Sequence, residues 1–311
     1  MWAYAVCIIL DGDDIYWVVD TAWAGQDGPS PVSGDVYFWR PGLNKPKRLF
    51  SRPNSWVRFL HVSDGRLVWL DESARRSSWS TARLGTHAVR TLPIDSELDV
   101  VLGRRFIAWV DRGGSVFAAE FSGTGDMPGR PIALSRMPGG RAADAEGRLE
   151  ALATDGKRVA WVAGDVICTW TPGARAVSRF GLGTHRPVDM FVLDGKRLAW
   201  TVGSLEERGS EDQGVFTTQL GQSSVTTLAG PLTGTSVVDL SILGDRTAWV
   251  QESVRDITSD QEGSAEVFTS SIGGGKAVRI GSTEAGHRSS VLVRAFGIVH
   301  GDKNISVIRP Q

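Results

Sequence analysis

Residues 155–161 read DGKRVAW and residues 194–200 read DGKRLAW, and this near-identical pair is the clearest repeat in the chain. Each copy begins with a tight polar turn, continues into an alternating apolar stretch and ends on tryptophan. Weaker copies read DGDDIYWVVD, DGRLVWLDE, GRRFIAWVD and GDRTAWVQE. The tryptophans of these segments are Trp17, Trp69, Trp109, Trp161, Trp200 and Trp249. They recur about every 46 residues, a period typical of repeated β-sheet units.

Each repeat contains four short stretches with the alternation expected of β-strands. The repeat over 148–181 shows them most clearly, at 148–156, 157–164, 165–173 and 174–181. Asp-Gly pairs at 155–156 and 194–195 separate the first strand from the second, and Asp-Gly tolerates the positive φ that a two-residue hairpin requires. Pro-Gly turns at 40–42 and 171–173 join the third strand to the fourth. No segment shows a sustained helical period.

A four-stranded sheet of this kind cannot bury both faces by itself. Radial stacking buries each sheet against its neighbours and places the repeated Trp between adjacent sheets, so the pattern predicts a β-propeller. A degenerate seventh copy at 296–308 has Ile298 in the Trp position. We expect an all-β, seven-bladed β-propeller, with six blades as the main rival, in a single domain over residues 1–311. The approximate blades are 3–52, 55–94, 97–136, 148–181, 187–232, 235–283 and 289–311.

The two DGKR-containing units resemble the repeats of TolB-like (PD40, WD40-like) β-propellers, which read SPDGKRIAF. The resemblance extends over nearly the whole chain as degenerate copies. This sequence lacks the Ser-Pro before Asp-Gly and has Trp where the family often has Phe. Members of that family serve as scaffolds in envelope complexes or as accessory domains of peptidases. The resemblance therefore implies binding at least as readily as catalysis.

Composition excludes several classes of function. The 311 residues include 34 Lys and Arg and 35 Asp and Glu, so the net charge of −1 gives no global field for nucleic acid or an anionic membrane. No apolar run reaches the roughly 18 residues of a membrane helix. The apolar opening at 1–10 lacks a basic n-region and a small-residue cleavage site, and we interpret it as a strand. Cys7 and Cys168 are expected as two buried thiols. These observations predict a monomer with no nucleic-acid partner, no membrane insertion and no cofactor.

The predicted seventh blade ends without its outermost strand. Its third strand is followed only by Arg309-Pro310-Gln311, where other blades turn into a fourth strand. No segment before about Ala3 is available to complete it. We expect either a three-stranded blade or a native sequence that continues before Met1. The second option favours an exported protein, whereas a native Met1 favours the cytoplasm.

Long loops indicate where binding is expected. In a propeller, the loops from second to third strands share one edge with the loops that enter the next blade. The second-to-third loops are long at 21–34, 203–214 and 252–264, and extended loops commonly carry binding function. Their acidic residues form either a binding rim or a solvated surface. These residues are Asp27, Glu206, Glu207, Glu211, Asp212, Asp256, Asp260 and Glu262.

Two entry loops carry the same His-Arg pair. His185 and Arg186 precede the fifth blade, and His287 and Arg288 precede the seventh. Such a pair can bind a carboxylate or phosphate, with Arg as a bidentate clamp and His as a proton carrier. The alternative is that they are ordinary loop residues that match through repeat ancestry.

The position two residues beyond each Trp supplies a second set of candidates. Val and Ala occupy it in some blades, as packing requires, but Asp71, Asp111, Gln251 and His300 occupy it in the others. A buried Asp needs a partner, so these side chains either brace loop backbone or face the central funnel. In a catalytic reading, Asp71, Asp111 and His300 are the general acid/base residues, and Gln251 orients a ligand.

We therefore favour a non-catalytic recognition or scaffold module that binds a protein, peptide or small ligand at its loop-rich face. The predicted ligand-binding residues are His185, Arg186, Gln251, His287, Arg288 and His300. The alternative is a funnel-sited hydrolase, lyase or isomerase, although no known nucleophile, metalloprotease or phosphate-loop motif occurs. A third possibility is a carbohydrate-binding propeller in which Trp23, Trp56 or Trp79 stacks on sugar rings. No metal site is expected, because the acidic run at 11–14 matches the hairpin turn of the other blades.

Overall fold

The computed structural model describes residues 2–25, 28–73, 76–86, 88–96, 100–122, 125, 127–143, 152–181, 188–202, 214–222, 224–230, 232, 235–253, 264–271, 275–284, 290–294, 297–301 and 305–308. Within these ranges all regular secondary structure is β-strand apart from one short 3-10 helix. The strands form six four-stranded sheets and one three-stranded sheet, each with its strands adjacent in chain order. The chain divides into two compact units.

The first unit consists of residues 1–137, 156–159 and 171–174 and holds three sheets. The first sheet contains β1 (Trp2–Asp11), β2 (Asp14–Gly25), β3 (Gly28–Trp39) and β4 (Lys47–Pro53). The second contains β5 (Trp56–Ser63), β6 (Arg66–Ser73), β7 (Arg76–Arg83) and β8 (Arg90–Thr91). The third contains β9 (Val100–Leu102), β10 (Phe106–Val110), β11 (Val116–Glu120) and β12 (Ile132–Ala133), and the 3-10 helix Leu134–Arg136 follows it.

The second unit consists of residues 138–155, 160–170 and 175–311 and holds nearly all of the remaining four sheets. The fourth sheet contains β13 (Leu152–Thr154), β14 (Val159–Ala163), β15 (Val166–Trp170) and β16 (Ser178–Gly181). The fifth contains β17 (Val188–Asp194), β18 (Arg197–Val202), β19 (Gly214–Gln219) and β20 (Thr226–Ala229). The sixth contains β21 (Thr235–Leu243), β22 (Arg246–Ser253), β23 (Ser264–Ser271) and β24 (Val278–Glu284). The seventh contains β25 (Ser290–Arg294), β26 (Gly297–Gly301) and β27 (Ile305–Ile308).

Alternation along the second strand of a sheet explains how the sheets stack. In β6, Leu67 and Trp69 pack against the first sheet, whereas Val68 and Leu70 pack against the third. The same division occurs in β18, where Trp200 packs against the fourth sheet and Ala199 against the sixth. Because side chains of a strand point alternately to the two faces, a strand that is apolar throughout buries both faces of its sheet.

The repeated Trp packs in a similar way in several sheets of both units. In the second, third, fifth and sixth sheets it packs against the sheet that precedes it in the chain. In four sheets it also stacks on the aromatic residue paired with it on the third strand. These pairs are Trp17–Tyr37, Trp109–Phe117, Trp200–Phe216 and Trp249–Phe268, with ring centroids 5.6, 5.6, 6.0 and 5.8 Å apart. For Trp69, Trp109, Trp200 and Trp249, this packing agrees with the prediction that the repeated Trp forms core between sheets.

The predicted long loop at 21–34 is wrong for most of its length. β2 and β3 continue as a paired ladder from Thr21 opposite Ser33 to Gly25 opposite Gly28. The prolines of this segment, at 29 and 31, lie beyond Ser33, which is the last β3 residue paired with β4. No fourth strand pairs with β3 at these positions, so the absence of a proline N–H breaks no hydrogen bond to β4. Positions of this kind tolerate proline.

Strand direction brings several strand ends together in the first unit. Because adjacent strands run antiparallel, β2 and β4 end, and β3 begins, at one edge of the first sheet. β5 begins and β6 ends at the neighbouring edge of the second sheet. We call these strand ends the loop edge, because the second-to-third loop and the connection to the next sheet begin there. The term refers to the ends of the strands and not to the outermost strand of a sheet.

Candidate functional site

The predicted His-Arg pairs are not among the residues that the structure describes. His185, Arg186, His287 and Arg288 lie outside the described ranges, as do the acidic residues of the loops at 203–213 and 254–263 and Asp27. His300 lies in β26, where its backbone pairs with Val291 and Ser306.

Asp71 lies at the end of β6 and accepts hydrogen bonds on both carboxylate oxygens. Arg52 binds it in a bidentate manner, with Nε 2.8 Å from Oδ1 and Nη2 3.1 Å from Oδ2. The Trp69 indole N–H donates to Oδ1 at 2.9 Å, and the Ser80 hydroxyl donates to Oδ2 at 2.6 Å. Asp71 is buried, so these four donors replace the water that its charge would otherwise need.

This network replaces the aromatic pair found in other sheets. Ser80 is the residue opposite Trp69, where four other sheets have Tyr or Phe. The Trp69 ring stacks instead on Phe50 of the first sheet, with centroids 4.6 Å apart. The buried indole N–H groups of Trp200 and Trp249 make no hydrogen bond with any described residue, whereas that of Trp69 is satisfied by Asp71. The second sheet therefore departs from the repeat: in place of an aromatic pair, Asp71 forms hydrogen bonds with Arg52 of the first sheet and with Trp69 and Ser80 of its own, and we call this arrangement a polar clamp.

Asp111 has a local role at the turn between β10 and β11. Its Oδ1 accepts the backbone N–H groups of Gly113 at 2.9 Å and Ser115 at 2.8 Å. An Asp that bonds to the backbone two residues on is the usual cap of a tight turn. This geometry matches the predicted alternative that Asp111 braces loop backbone.

Gln251 lies near the end of β22. Its side-chain amide donates to the Thr235 hydroxyl at the start of β21, with a distance of 2.7 Å. The next residue, Glu252, is partly buried, and desolvation raises the pKa of its carboxyl. Gln251 is therefore hydrogen-bonded to the first strand of its own sheet.

Sequence reasoning missed a buried carboxylate on the first sheet. Asp20 has no exposed surface, and its Oδ1 accepts the Val57 backbone N–H at 3.3 Å. The Arg58 guanidinium lies 3.3 Å from Asp20 Oδ2 and also 3.3 Å from the Glu72 carboxylate. We call Asp20, Arg52, Arg58, Asp71 and Glu72 the arginine–carboxylate cluster. It joins the first sheet to the second along the loop edge.

Gly34 makes this junction possible. It lies opposite both Asp20 on β2 and Arg52 on β4, so the three residues form one row across the first sheet. A Cβ atom at residue 34 would lie 2.7 Å from the Val57 nitrogen and 3.0 Å from Asp20 Oδ1. Glycine therefore allows the backbone of β5 to approach the Asp20 carboxylate closely.

Burial disfavours the anionic form of Asp20. Desolvation raises the pKa of Asp20 from its ordinary value of 3.8 to about 6, against the opposing effects of the Val57 N–H and the Arg58 charge. Glu72 and Asp35 add smaller contributions that also raise this pKa. Asp20 Oδ2 makes no hydrogen bond with any described residue. Of the two buried carboxylates in the cluster, Asp71 has hydrogen-bond donors on both oxygens, whereas Asp20 has a donor on Oδ1 alone.

The aromatic residues named for sugar stacking fit that role poorly where the structure describes them. The prediction that Trp79 is exposed is wrong, because only 1% of its surface is accessible and its indole N–H donates to the Ser96 carbonyl at 2.7 Å. It fills the space between the second and third sheets. Trp56 is partly buried beneath the Arg58 guanidinium, whose carbon lies 4.9 Å from the ring centroid. Trp23 lies in β2.

The described residues have three further features. No group of three or more His, Cys, Asp or Glu side chains in the described ranges could hold a metal ion. Cys168 is free and buried, and desolvation raises the pKa of its thiol. No described helix is long and apolar enough to cross a membrane.

Comparison with known proteins gives the fold and little more. No protein-family model matches the sequence, and no curated protein matches it. A chain of the mitotic checkpoint complex aligns with a TM-score of 0.60 at 11% identity, over 97% of this chain and 89% of that one. Human WBSCR16 aligns with a TM-score of 0.58 at 11% identity, over 99% and 87% of the two chains. Acylaminoacyl peptidase from Pyrococcus horikoshii aligns with a TM-score of 0.58 at 10% identity, and this chain spans about half of it, 52%.

These identities are low enough that the likeness carries the fold alone. The structural neighbours are β-propellers. The stacked four-stranded sheets and the likeness over nearly the whole sequence together show that the chain has a β-propeller fold.

Proposed function

We propose that the chain is a single seven-bladed propeller similar to the TolB-like family and that it acts as a non-catalytic recognition module. It would bind a protein, a peptide or a small ligand at the edge from which its second-to-third loops and entry loops leave. The seven described sheets and the repeat in the sequence support the blade number.

The observation that carries the proposal is that the carboxylates near two strand ends are already hydrogen-bonded within the chain. Asp71 is held by four donors from Arg52, Trp69 and Ser80, and Asp111 caps its own turn. A carboxylate saturated in this way is a poor general base, because transferring a proton to it would disrupt its hydrogen bonds. The catalytic candidates in the first unit therefore support a rigid binding scaffold better than acid/base chemistry.

Ligand recognition is assigned in this proposal to the residues that the sequence singled out. His185 with Arg186, and His287 with Arg288, would bind carboxylate or phosphate groups, since a guanidinium presents two parallel donors to either anion. Gln251 and His300 would add orienting hydrogen bonds. The elaborated loops would supply the surrounding contacts.

A peptide-display selection on the folded full-length chain tests this assignment. We expect enriched peptides to bind the wild type and to lose about tenfold or more in affinity with the double variant Arg186→Ala/Arg288→Ala, because each substitution removes a charged hydrogen-bonding anchor. The matched control is Arg130→Ala/Arg136→Ala, which removes two exposed arginines of the first unit. Binding is measured by titration calorimetry with purified peptides.

Two results would contradict the proposal. One is selected peptides that bind both double variants as tightly as the wild type. The other is turnover of a panel of peptide, ester and glycoside substrates that the His300→Ala variant abolishes, which would establish the enzyme alternative.

A further inference from the structure

Positive charge is concentrated in one part of the sequence. Residues 40–90 contain 11 of the 34 Lys and Arg residues but only 3 of the 35 Asp and Glu residues. Two of those three acidic residues, Asp71 and Glu72, form ion pairs with Arg52 and Arg58. The near-zero net charge of the chain therefore conceals a strongly basic segment.

The densest part of this segment is fully displayed at the surface. Every residue from 40 to 48 is exposed, and we call this range the basic turn. It consists of the connection from β3 to β4 and the first two residues of β4, and it carries Arg40, Lys45, Lys47 and Arg48. Because β3 ends and β4 begins there, the basic turn lies at the edge of the first sheet opposite the loop edge. It is a different surface from the one proposed above for ligand recognition.

The four cations are only partly compensated within the chain. Arg40 donates to Asp14 at 2.8 Å and yet 54% of its side chain is exposed. Arg48 lies 3.9 Å from Asp35, with 59% of its side chain exposed. Lys45 and Lys47 form no ion pair within the part of the chain that the structure describes. In both pairs the carboxylate is mostly buried, but more than half of the arginine side chain is exposed, so each guanidinium presents its outer N–H groups to solvent. Together with Lys45 and Lys47, they can contact an anion from outside.

The backbone of the basic turn is held in a defined shape. The Leu43 N–H donates to the Arg40 carbonyl at 3.1 Å, and Gly42 takes the positive φ of 95° that this turn requires after Pro41. The Trp39 indole N–H then donates to the Leu43 carbonyl at 3.0 Å. A fixed turn lowers the entropy that a partner must overcome on binding.

Protection of the sheet edge does not account for this density of charge. Edge strands are commonly guarded by lysine, proline and bulges. Here Pro46, Pro53 and the irregular register of β4 around Leu49 already interrupt the outer edge of the first sheet. The corresponding range of the fifth sheet, at 220–227, carries no charged residue, and that of the fourth, at 171–179, carries only Arg175 and Arg179. The chain thus makes other third-to-fourth turns without a basic cluster.

We infer that the basic turn is a docking surface for an extended acidic segment of a partner protein. Carboxylates of that segment would pair with the four cations, and one apolar side chain would cover Leu43, which is 38% exposed. Single-stranded nucleic acid needs exposed aromatic rings on which bases stack, but Trp39 is tied to the turn and Tyr37 is stacked on Trp17. A lipid surface would gain only one exposed apolar side chain from this turn.

Fluorescence anisotropy with the full-length chain tests the inference. The probe is a dye-labelled peptide of about twelve residues, rich in glutamate and containing leucine. We expect the double variant Lys45→Glu/Lys47→Glu to weaken its binding by about tenfold or more, since two attractions become repulsions. Raising the salt from about 50 to about 300 mM is expected to weaken wild-type binding similarly.

The matched control is Arg130→Glu/Arg136→Glu, which makes the same change in net charge at exposed positions elsewhere in the first unit. We expect it to alter affinity by less than about twofold. Equal losses in the two double variants, no binding of the peptide, or equal binding of the peptide with glutamine for glutamate would overturn the inference. So would tighter binding of an oligodeoxynucleotide or of phosphatidylserine vesicles, if Lys45→Glu/Lys47→Glu abolished it.

Discussion

Two buried aspartates face each other across the same junction and differ in how their charge is stabilised. Asp20 lies on the face of the first sheet that packs against the second, together with Tyr16 and Val18. Asp71 lies on the face of the second sheet that packs against the first, together with Trp69. Asp71 is bound by a bidentate guanidinium and two further donors, whereas Asp20 has one backbone donor and a shared arginine. Desolvation is the largest of the effects that raise the pKa of Asp20.

The first residue-scale prediction concerns pH. The pKa of Asp20 is about 6 in the folded chain, above its ordinary value of 3.8, so the folded state binds its proton more tightly than the unfolded state. Protonated Asp20 therefore adds to the free energy of unfolding. This contribution is complete below about pH 4 and is lost as the pH rises through about 6, a change of about 3 kcal/mol. The Asp20→Asn variant keeps an acceptor for Val57 and cannot titrate. We expect wild-type stability relative to this variant to fall between pH 4 and pH 7 in urea unfolding.

The difference in unfolding free energy between the wild type and the Asp20→Asn variant reports on Asp20 alone, because the other titrating groups are common to both proteins. A difference that stays constant with pH would show that Asp20 does not titrate in this range. A difference that grows in favour of the wild type at higher pH would show that the Arg58 ion pair outweighs desolvation.

The second residue-scale prediction concerns Asp71. Replacing it by Ala leaves Arg52, the Trp69 indole N–H and the Ser80 hydroxyl without their acceptor, and we expect a loss of about 3–5 kcal/mol of unfolding free energy. Asp111→Ala removes only a turn cap and is expected to cost about 1 kcal/mol. Chemical denaturation of both variants provides the comparison. Similar losses for the two would mean that Asp71 does not act as a clamp between sheets.

The Trp spacing found Asp71 and missed Asp20 for a geometric reason. A residue two positions beyond the repeated Trp shares its face, and that face packs against the preceding sheet. Asp20 is three positions beyond Trp17 and so points to the following sheet. Its signals were the glycine opposite it on β3 and the arginine opposite that glycine on β4, a cross-strand row that needs the register and not merely the repeat.

At the scale of elements, the approach of β5 to the first sheet depends on a missing side chain. Gly34→Ala would place a Cβ atom 2.7 Å from both the backbone nitrogen and a methyl group of Val57. Backbone cannot yield as a flexible side chain does, so we expect a loss of about 1–3 kcal/mol in unfolding free energy. Gly181→Ala is the matched control, because its Cβ meets nothing within 4 Å. A Gly34→Ala variant as stable as Gly181→Ala would contradict the close approach.

Strand number and strand order were predictable at this scale, because alternation and Asp-Gly or Pro-Gly turns are local signals. The extension of β2 and β3 into a long hairpin was not, because glycine and proline near 25–31 indicate a loop when strands are judged one at a time. Pairing between the two strands overrides those local preferences, and proline is tolerated where no further strand pairs. Tertiary pairing therefore decides the outcome that composition leaves open.

For the whole molecule, the proposal of one seven-bladed propeller makes a prediction about size. A compact monomer of 311 residues has a radius of gyration of about 20 Å. We expect small-angle X-ray scattering to give that value, with light scattering giving the monomer mass of 33.6 kDa. A clearly larger radius at monomer mass would show that the two compact units are separate domains and would end the single-propeller proposal.

The stacked tryptophan pairs also give the molecule an intrinsic optical reporter. In four cross-strand pairs, an indole ring has its centroid within 6.0 Å of that of a phenyl or phenol ring, is nearly parallel to it and is fixed by strand register. Chromophores locked in a chiral arrangement produce strong near-ultraviolet circular dichroism. Because each pair spans the second and third strands of a different sheet, replacing Tyr37, Phe117, Phe216 or Phe268 by leucine, one at a time, would resolve the spectrum into sheet-specific signals. The melting of individual blades could then be followed without any added label.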